Sequence, residues 1–334
     1  MKNRSQSVAV VGAGIAGLAA ARALQAHGYH VQVFDKGRGV GGRTSVRRRP
    51  PFEFDHGAQY FTARDERFAP HVRAWCEAGI VAPWPGRIGS WNDGVWRDGS
   101  QQTRYVGVPG MNAIAKHLAT GLNVATGVRV THLKREVSRW RVLAEAGVAP
   151  ASFDAIVIAL PSAQAAELLV GQRELAESAR RCPMSPCWAV MLGFDRPLAI
   201  PYDGAFIHES PLSWVARNST KPGRSPSEAW ILHASPQWSD ARIDDPPEQV
   251  TVALTRAFGR LIANEAPAAT FAVAHRWRYA AVPKPLEVGT LWDADARIAV
   301  CGDWCQGGRI EGAFLSGMAA AGRVSDALFA ATGD

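Results

Sequence analysis

The sequence predicts an α/β protein of two domains, one of them assembled from separated stretches of the chain. Three observations carry this. A strand–helix–strand unit opens the chain, with glycines at its first turn. A buried strand and helix at 153–181, and a strand and helix at 296–329, return to the same pattern. Between about 183 and 297 the character changes to strand-rich α+β, which reads as an insertion. A length of 334 residues suits two domains.

Residues 8–11 (Val-Ala-Val-Val) read as a short buried strand. From 15 to 27, Ile15, Leu18, Ala19, Ala23 and Leu24 share one helical face, and Gly28 ends the helix. Residues 29–34 alternate as a second strand and complete a βαβ unit. Residues 37–58, rich in Gly, Arg and Pro, read as loops. A helix follows over 66–79 on Phe68, Val72, Trp75 and Cys76. Residues 83–105 set Trp84, Trp91 and Trp96 among Gly and Asp, which suggests loops or short hairpins. Residues 111–119 are helical. Three short strands are expected at 122–125, 128–134 and 139–144, then the buried strand 153–160, stopped by Pro161, and one helix over 162–181. In the insertion, strands are expected at 187–195, 204–208, 213–217, 229–234 and 271–279, with a helix over 247–264. In the closing helix, Gly317 and Gly322 allow close packing.

The chain is 47% hydrophobic and 20% charged, which excludes a mostly disordered protein. Lys and Arg number 37 against 30 acids, and only six of the 37 are Lys. An Arg excess suits phosphate or carboxylate contacts. The basic residues are scattered, Arg47-Arg48-Arg49 being the one run, and no nucleic-acid signature is present, so no nucleic-acid partner is expected. No stretch of 18 uncharged apolar residues predicts a membrane span. The basic first four residues resemble a leader, but glycines at a strand-to-helix turn and then Arg22 interrupt the apolar run, so we read a domain and a cytoplasmic protein. Five cysteines without a CxxC pair or His partners at zinc spacing predict free thiols and no metal site.

Three motifs carry chemistry. In Gly12-Ala13-Gly14-Ile15-Ala16-Gly17, the first Gly permits the tight turn, the second lets backbone approach a pyrophosphate, and the third lets helix pack on strand. The helix N-terminus then offers free N–H groups to the phosphates. Asp35, followed by Lys36, closes the second strand, where a carboxylate can accept both ribose hydroxyls. In the second motif, Gly39-Val-Gly-Gly42-Arg43-Thr44, Arg43 can pair with a phosphate or cover a flavin face. In the third, a strand delivers Gly302-Asp303, where an Asp can bind a ribitol hydroxyl, and after Ile310 the run Glu311-Gly312-Ala313 starts a helix whose N–H groups can face a flavin pyrimidine.

With these residues the chain resembles the flavin amine oxidase superfamily along its whole length. Within it, the chain is most similar to bacterial renalase-like proteins. The telling segments are Phe54-Asp-His-Gly-Ala58-Gln59-Tyr60-Phe61-Thr62-Ala-Arg64-Asp65, Val108-Pro-Gly-Met111, Trp214-Val-Ala-Arg217-Asn218, Trp230-Ile-Leu-His233-Ala, Ala274-His275-Arg-Trp277-Arg-Tyr279-Ala and Gly302-Asp303-Trp304-Cys305, of which Gly57–Thr62 and Trp230–His233 are the more specific to renalase-like proteins. The resemblance implies a discontinuous Rossmann-like FAD domain (1–65, 106–182, 297–334). It also implies an inserted substrate domain (66–105, 183–296) whose mixed sheet roofs the flavin. It adds Ala58, Gln59, Tyr60, Phe61 and Val130 to the FAD set. It implies oxidation of the 2- and 6-dihydro isomers of NAD(P) to NAD(P)+, with dioxygen reoxidising the flavin to give hydrogen peroxide.

A dihydropyridine needs only to lose hydride, so no general base is required. Trp214, Trp277, Tyr279, Tyr60 and Phe61 are candidate walls for a nicotinamide, and Thr62 is a further substrate-binding candidate. His233, Arg217 and Asn218 are candidates to bond its carboxamide, His233 being the one catalytic candidate. Arg64, Arg104 and Arg309 are candidates for substrate phosphate or ribose. The alternatives are an amine oxidase on the same scaffold and a non-catalytic FAD-binding protein. Many amine-oxidising relatives use a flavin-facing Lys. Here Lys221 reads as an exposed loop residue and Lys284 sits between prolines, which weakens the amine reading. No Cys lies in a motif for a covalent flavin link, so FAD is expected to be non-covalent.

Overall fold

The computed structural model describes residues 6–145, 152–262 and 267–331. The basic start read above as part of a domain lies outside them. The strand Ser7–Val11 is apolar on both faces, as a central parallel strand must be. It pairs in parallel with Ala155–Ile158 on one side (Val8 opposite Ala155) and His30–Asp35 on the other (Ser7 opposite His30). The six-stranded sheet runs Leu291–Asp293, Ile298–Val300, Ala155–Ile158, Ser7–Val11, His30–Asp35, Asn123–Thr126. Only its first pair is antiparallel.

Strand alternation divides the core. Val8 and Val10 pack with Ile15, Leu18 and Leu24 of helix Ile15–Ala26 and Phe314 of helix Ile310–Ala330. Ala9 and Val11 face Ala165, Leu168, Leu175 and Ala179 on the opposite side. Those four belong to two helices, Ser162–Leu168 and Arg173–Arg180, where one was expected. Gly171, a poor helix residue, lies in the break. The two long helices touch closely: a Cβ on Gly317 would stand 2.1 Å from the Ala16 backbone oxygen. Gly322 has open space at that position, so it does not serve the packing expected of it.

A second, mixed sheet of seven strands runs Phe271–Ala281, Ser185–Phe194, Glu228–Ala234, Leu212–Arg217, Gly204–Ile207, Ile88–Asn92, Val95–Asp98. Ile88–Asn92 joins Gly204–Ile207 in parallel and the other pairs are antiparallel. Helix Pro247–Gly259 covers one face with Val250, Leu254 and Phe258 against Trp188, Val190 and Leu192. On the other face Met191 and Ile231 pack on Phe52 and Phe54. These two Phe belong to a hairpin, Arg47–Arg49 with Phe52–Phe54, inside the stretch expected to be loop. Burial of the two Phe rings explains why it forms. Helix Ala69–Glu77 buries Val72 and Trp75 in the first core, beside Phe314, whereas Ile88–Asp98 belongs to the second sheet.

Candidate active site

Residues from both sheets line one cavity of about 1540 Å³. Small-molecule pockets usually measure about 300–1,000 Å³, so this one has room for more than a single small ligand.

Its floor is the glycine turn. Gly12 has φ +110°, and a Cβ there would stand 2.3 Å from the Ala159 oxygen. A Cβ on Gly17 would meet the Gly12 oxygen at 1.9 Å. Gly14 has nothing within 4 Å and lines the cavity. Gly12 and Gly17 are thus closed in by backbone, and Gly14 is open to the cavity. Helix Ile15–Ala26 begins here with no side-chain cap, so its N–H groups are available to phosphate. Asp35 Oδ2 accepts from Ala13 N–H and Oδ1 from Gly37 N–H, both at 2.6 Å. These bonds fix a carboxylate that keeps further lone pairs for a ribose.

Lys36, Gly42, Arg43, Ala58 and Val130 line the same cavity, as do Ile15 and Ala16. So do Gly302, Asp303, Arg309, Ile310 and Ala313, at the start of the second long helix. Arg43 donates to both oxygens of Asp303, at 2.6 and 2.8 Å, and to the Ala280 carbonyl at 3.0 Å. One guanidinium thus ties the second glycine loop, the third motif and the strand Phe271–Ala281 together. Glu311 does not line the cavity. It accepts the N–H groups of Arg64 and Asp65 at 2.8 and 2.7 Å.

Several other expected residues lie behind the wall. Ala13 and Gly17 act through the backbone of the turn. Gln59 binds the carbonyls of Asp55 and Gly57. Tyr60 packs on Trp214, ring centres 5.5 Å apart, and Phe61 on Phe68 and Tyr105. Thr62 does not reach the cavity, and exposed Arg64 binds Gln102. Arg104 is buried, lies over Tyr60 and bonds the Ser100 and Gln102 carbonyls. Arg217 is spent on Glu228, Asp203 and the Leu198 carbonyl. Asn218 bridges the Glu53 carbonyl, Asp55 N–H and Lys221. These groups hold the segments that carry the lining.

The roof comes from the second sheet. His233, Trp277 and Tyr279, expected at the substrate, line the cavity, and His56, His275 and Cys187 join them. Sheet register makes the arrangement: Ala189 lies opposite His233 on one neighbouring strand and His275 on the other, so both imidazoles flank one small residue. His56 stacks on Trp277 (5.1 Å) and meets His275 edge-on (4.8 Å). The His56 carbonyl accepts Trp277 Nε1–H at 3.0 Å and faces His233 Nε2 at 3.3 Å. A carbonyl can only accept, so His233 carries its proton on Nε2 and leaves Nδ1 as an acceptor. Burial pushes the pKa down to about 3 for His56 and about 4 for His233 and His275, helped at His56 and His275 by the charge of Arg47. The three rings are neutral near pH 7. His275 had a sequence signal, since strand alternation puts it on the face of Trp277. His56 had none beyond its place in the Phe54-to-Asp65 segment. Among the described residues no group of His, Cys, Asp and Glu stands where it would hold a metal.

Lys221 is a correction. Instead of an exposed loop residue it is fully buried, with Nζ 3.3 Å from Asp55, 3.1 Å from Gln59 and 3.1 Å from Asn218. Burial lowers its pKa to about 8. Arg224 also binds Asp55, at 2.7 Å. Burial alone would raise the Asp55 pKa, yet these two cations and the Met111 N–H hold it below the usual value. Lys221 does not line the cavity. Its network anchors residues 55–59, which carry His56 and Ala58. The sequence points the other way here because Pro222 and Gly223 mark a turn, and turns are usually exposed.

The model of flavin-containing amine oxidoreductases matches residues 88–325, and that of NAD(P)-binding Rossmann-like domains matches 10–78. The chain belongs to the flavin-containing amine oxidoreductase family. In this family member the glycine floor, Asp35 and the two helix starts fit FAD. A 4,4'-diapophytoene desaturase of Staphylococcus haemolyticus (strain JCSC1435) is 52% identical over 50 residues, 15% of this chain and 10% of that protein. The curated relatives are therefore matched over about a tenth of their length. An Exiguobacterium sp. 255-15 structure named for protoporphyrinogen oxidase superposes with TM-score 0.76 at 12% identity, covering 97% of this chain and 99% of that one. Cyclohexylamine oxidase from Brevibacterium oxydans IH-35A gives 0.75 at 13%, covering 97% and 100%. These structural likenesses are of fold. No helix among the described residues is long and apolar enough to cross a membrane.

Proposed function

We propose that this family member oxidises the 2- and 6-dihydro isomers of NAD(P) to NAD(P)+, the renalase-like reaction, as a cytoplasmic enzyme. The observation that carries the reading is the roof: three neutral imidazoles and an indole over a cavity that also holds an FAD cradle. Such a surface stacks on a flat heteroaromatic ring. His233 Nδ1 is an acceptor for a carboxamide N–H. Bound FAD supplies the hydride acceptor, and dioxygen then takes the electrons to give hydrogen peroxide. The substrate loses hydride alone and no proton, so a roof without a charged acid or base suffices. FAD is held non-covalently in this reading: burial pushes the cavity-lining Cys187 thiol up to about 12, which leaves it protonated and unreactive.

Amine oxidation is the second reading, favoured by the family and by the burial of Lys221. The arginines around the cavity oppose it, because most amines arrive as cations. Anaerobic mixing with 2-dihydro-NAD, 6-dihydro-NAD, benzylamine and ordinary NADH separates the readings. Bleaching of the flavin band by the isomers alone is expected. Bleaching by benzylamine would move the assignment to amines.

A further inference from the structure

The Arg47–Arg49 run lies on a strand that lines the cavity. Several other cations of the lining have acids: Arg48 pairs with Glu53 at 2.9 Å, Arg129 with Glu145 at 3.4 Å, and Arg276 and Arg278 share Asp244 at 3.3 and 3.1 Å, while Lys36 and Arg309 lie toward the FAD cradle without an ion pair among the described residues. Arg38, Arg47 and Arg49 have no carboxylate partner among the described residues. Arg47 is half-buried and sits opposite Phe54 in its hairpin, one residue before Asp55 and two before His56. Arg38 and Arg49 line the same cavity as Arg47, and burial, then their charges, lower its pKa. Its field also reaches His56 and His275 in the roof. A half-buried cation among like charges costs stability until an anion arrives. The FAD phosphates already have the Gly14 turn and its helix N-terminus.

We propose that Arg47, with Arg38 and Arg49, binds the phosphate groups of a dinucleotide substrate whose nicotinamide end lies under the imidazole roof. This rests on the dihydronicotinamide reading above. Guanidinium forks grip phosphate in pairs of charge-assisted hydrogen bonds, which Lys cannot reproduce. Phosphate at the rim and aromatic ring at the roof would fix both ends of the substrate.

The test uses the FAD-loaded enzyme and ADP-ribose, which carries the phosphates without the nicotinamide, with adenosine as the uncharged control. Titration followed by flavin fluorescence gives the Kd. Arg47→Gln is expected to weaken ADP-ribose about tenfold, Arg47→Lys less, and Arg49→Gln by about threefold, with adenosine unaffected. Wild-type affinity for ADP-ribose should fall with added salt. Bound FAD per protein should not change in any variant. Equal Kd for wild type and Arg47→Gln overturns the proposal, and so does FAD loss in parallel with the change in Kd, which would give these arginines to the cofactor. Should Arg47→Gln fail to fold, Arg47→Lys and the salt series decide by the same criteria. The two readings fail separately. Isomers that leave the flavin unbleached, with ADP-ribose binding dependent on Arg47, would sink the substrate and keep the phosphate site. Bleaching with Arg47-independent ADP-ribose binding would do the reverse.

Discussion

The floor and the roof of the cavity are built on opposite plans. The floor comes from one continuous stretch, residues 7–37, in which strand, turn, helix and Asp35 follow in order. The roof comes from three places in the chain, His56, His233 and the strand that carries His275 and Trp277, brought together by sheet register and one shared carbonyl. Local construction lets near neighbours in sequence shape the floor, with Ala159 and Gly317 packed closely behind it. Distant construction makes the roof depend on whatever holds residues 55–59.

That dependence gives the largest expected effect. Asp55 is 1% exposed and balances two buried cations. Asp55→Ala strands Lys221 and Arg224 and should cost about 3–5 kcal/mol. Lys221→Met leaves the Asp55–Arg224 pair and should cost clearly less. Urea unfolding measures both. Equal losses would mean that the network is not held by its single anion.

The floor breaks differently at its different glycines. Gly17→Ala drives a methyl into the Gly12 oxygen and should cost about 1–3 kcal/mol in the FAD-free protein. Gly14→Ala has open space and should leave that stability nearly unchanged, while FAD retention after dialysis falls. If Gly14→Ala keeps FAD as wild type does, the backbone approach to phosphate is not made there.

Legibility follows the same division. The spacing of Gly12, Gly14, Gly17 and Asp35 announces a cradle because each acts on near neighbours in sequence. Residue type makes Arg217, Asn218 and Arg104 candidate substrate contacts but does not say which way a side chain faces. In the structure they bind main-chain carbonyls and carboxylates behind the wall. Lys221 was misplaced for the converse reason: its partner Asp55 is 166 residues away, and no local pattern records that pairing. The strands of the second sheet were legible from alternation, but not the register that sets His233 and His275 on either side of Ala189.

The roof should be the acid-sensitive half. His56, His233 and His275 have folded pKa values lowered to about 3, 4 and 4 from 6.5. As pH falls below 6.5 the unfolded chain takes up protons that the folded roof refuses, so stability drops between about pH 6.5 and 4. His56→Phe keeps the ring on Trp277 and removes one such group. Its Tm should fall less than the wild-type Tm between pH 7 and pH 5. Parallel declines would remove His56 from the cause.

The smallest effect separates positioning from support at His233. Its Nε2–H is committed to the His56 carbonyl, so only Nδ1 is left for a ligand. His233→Ala removes that acceptor and one flank of the roof but touches no part of the floor. FAD content should therefore stay at the wild-type level, while reduction of the flavin by 6-dihydro-NAD slows about tenfold, the loss of one hydrogen bond of about 1.4 kcal/mol. His233→Gln places an amide oxygen near the same spot and should recover part of the rate. Equal slowing in both variants would mean that the ring acts by packing against its neighbours, and an unchanged rate would leave the carboxamide to another acceptor in the roof.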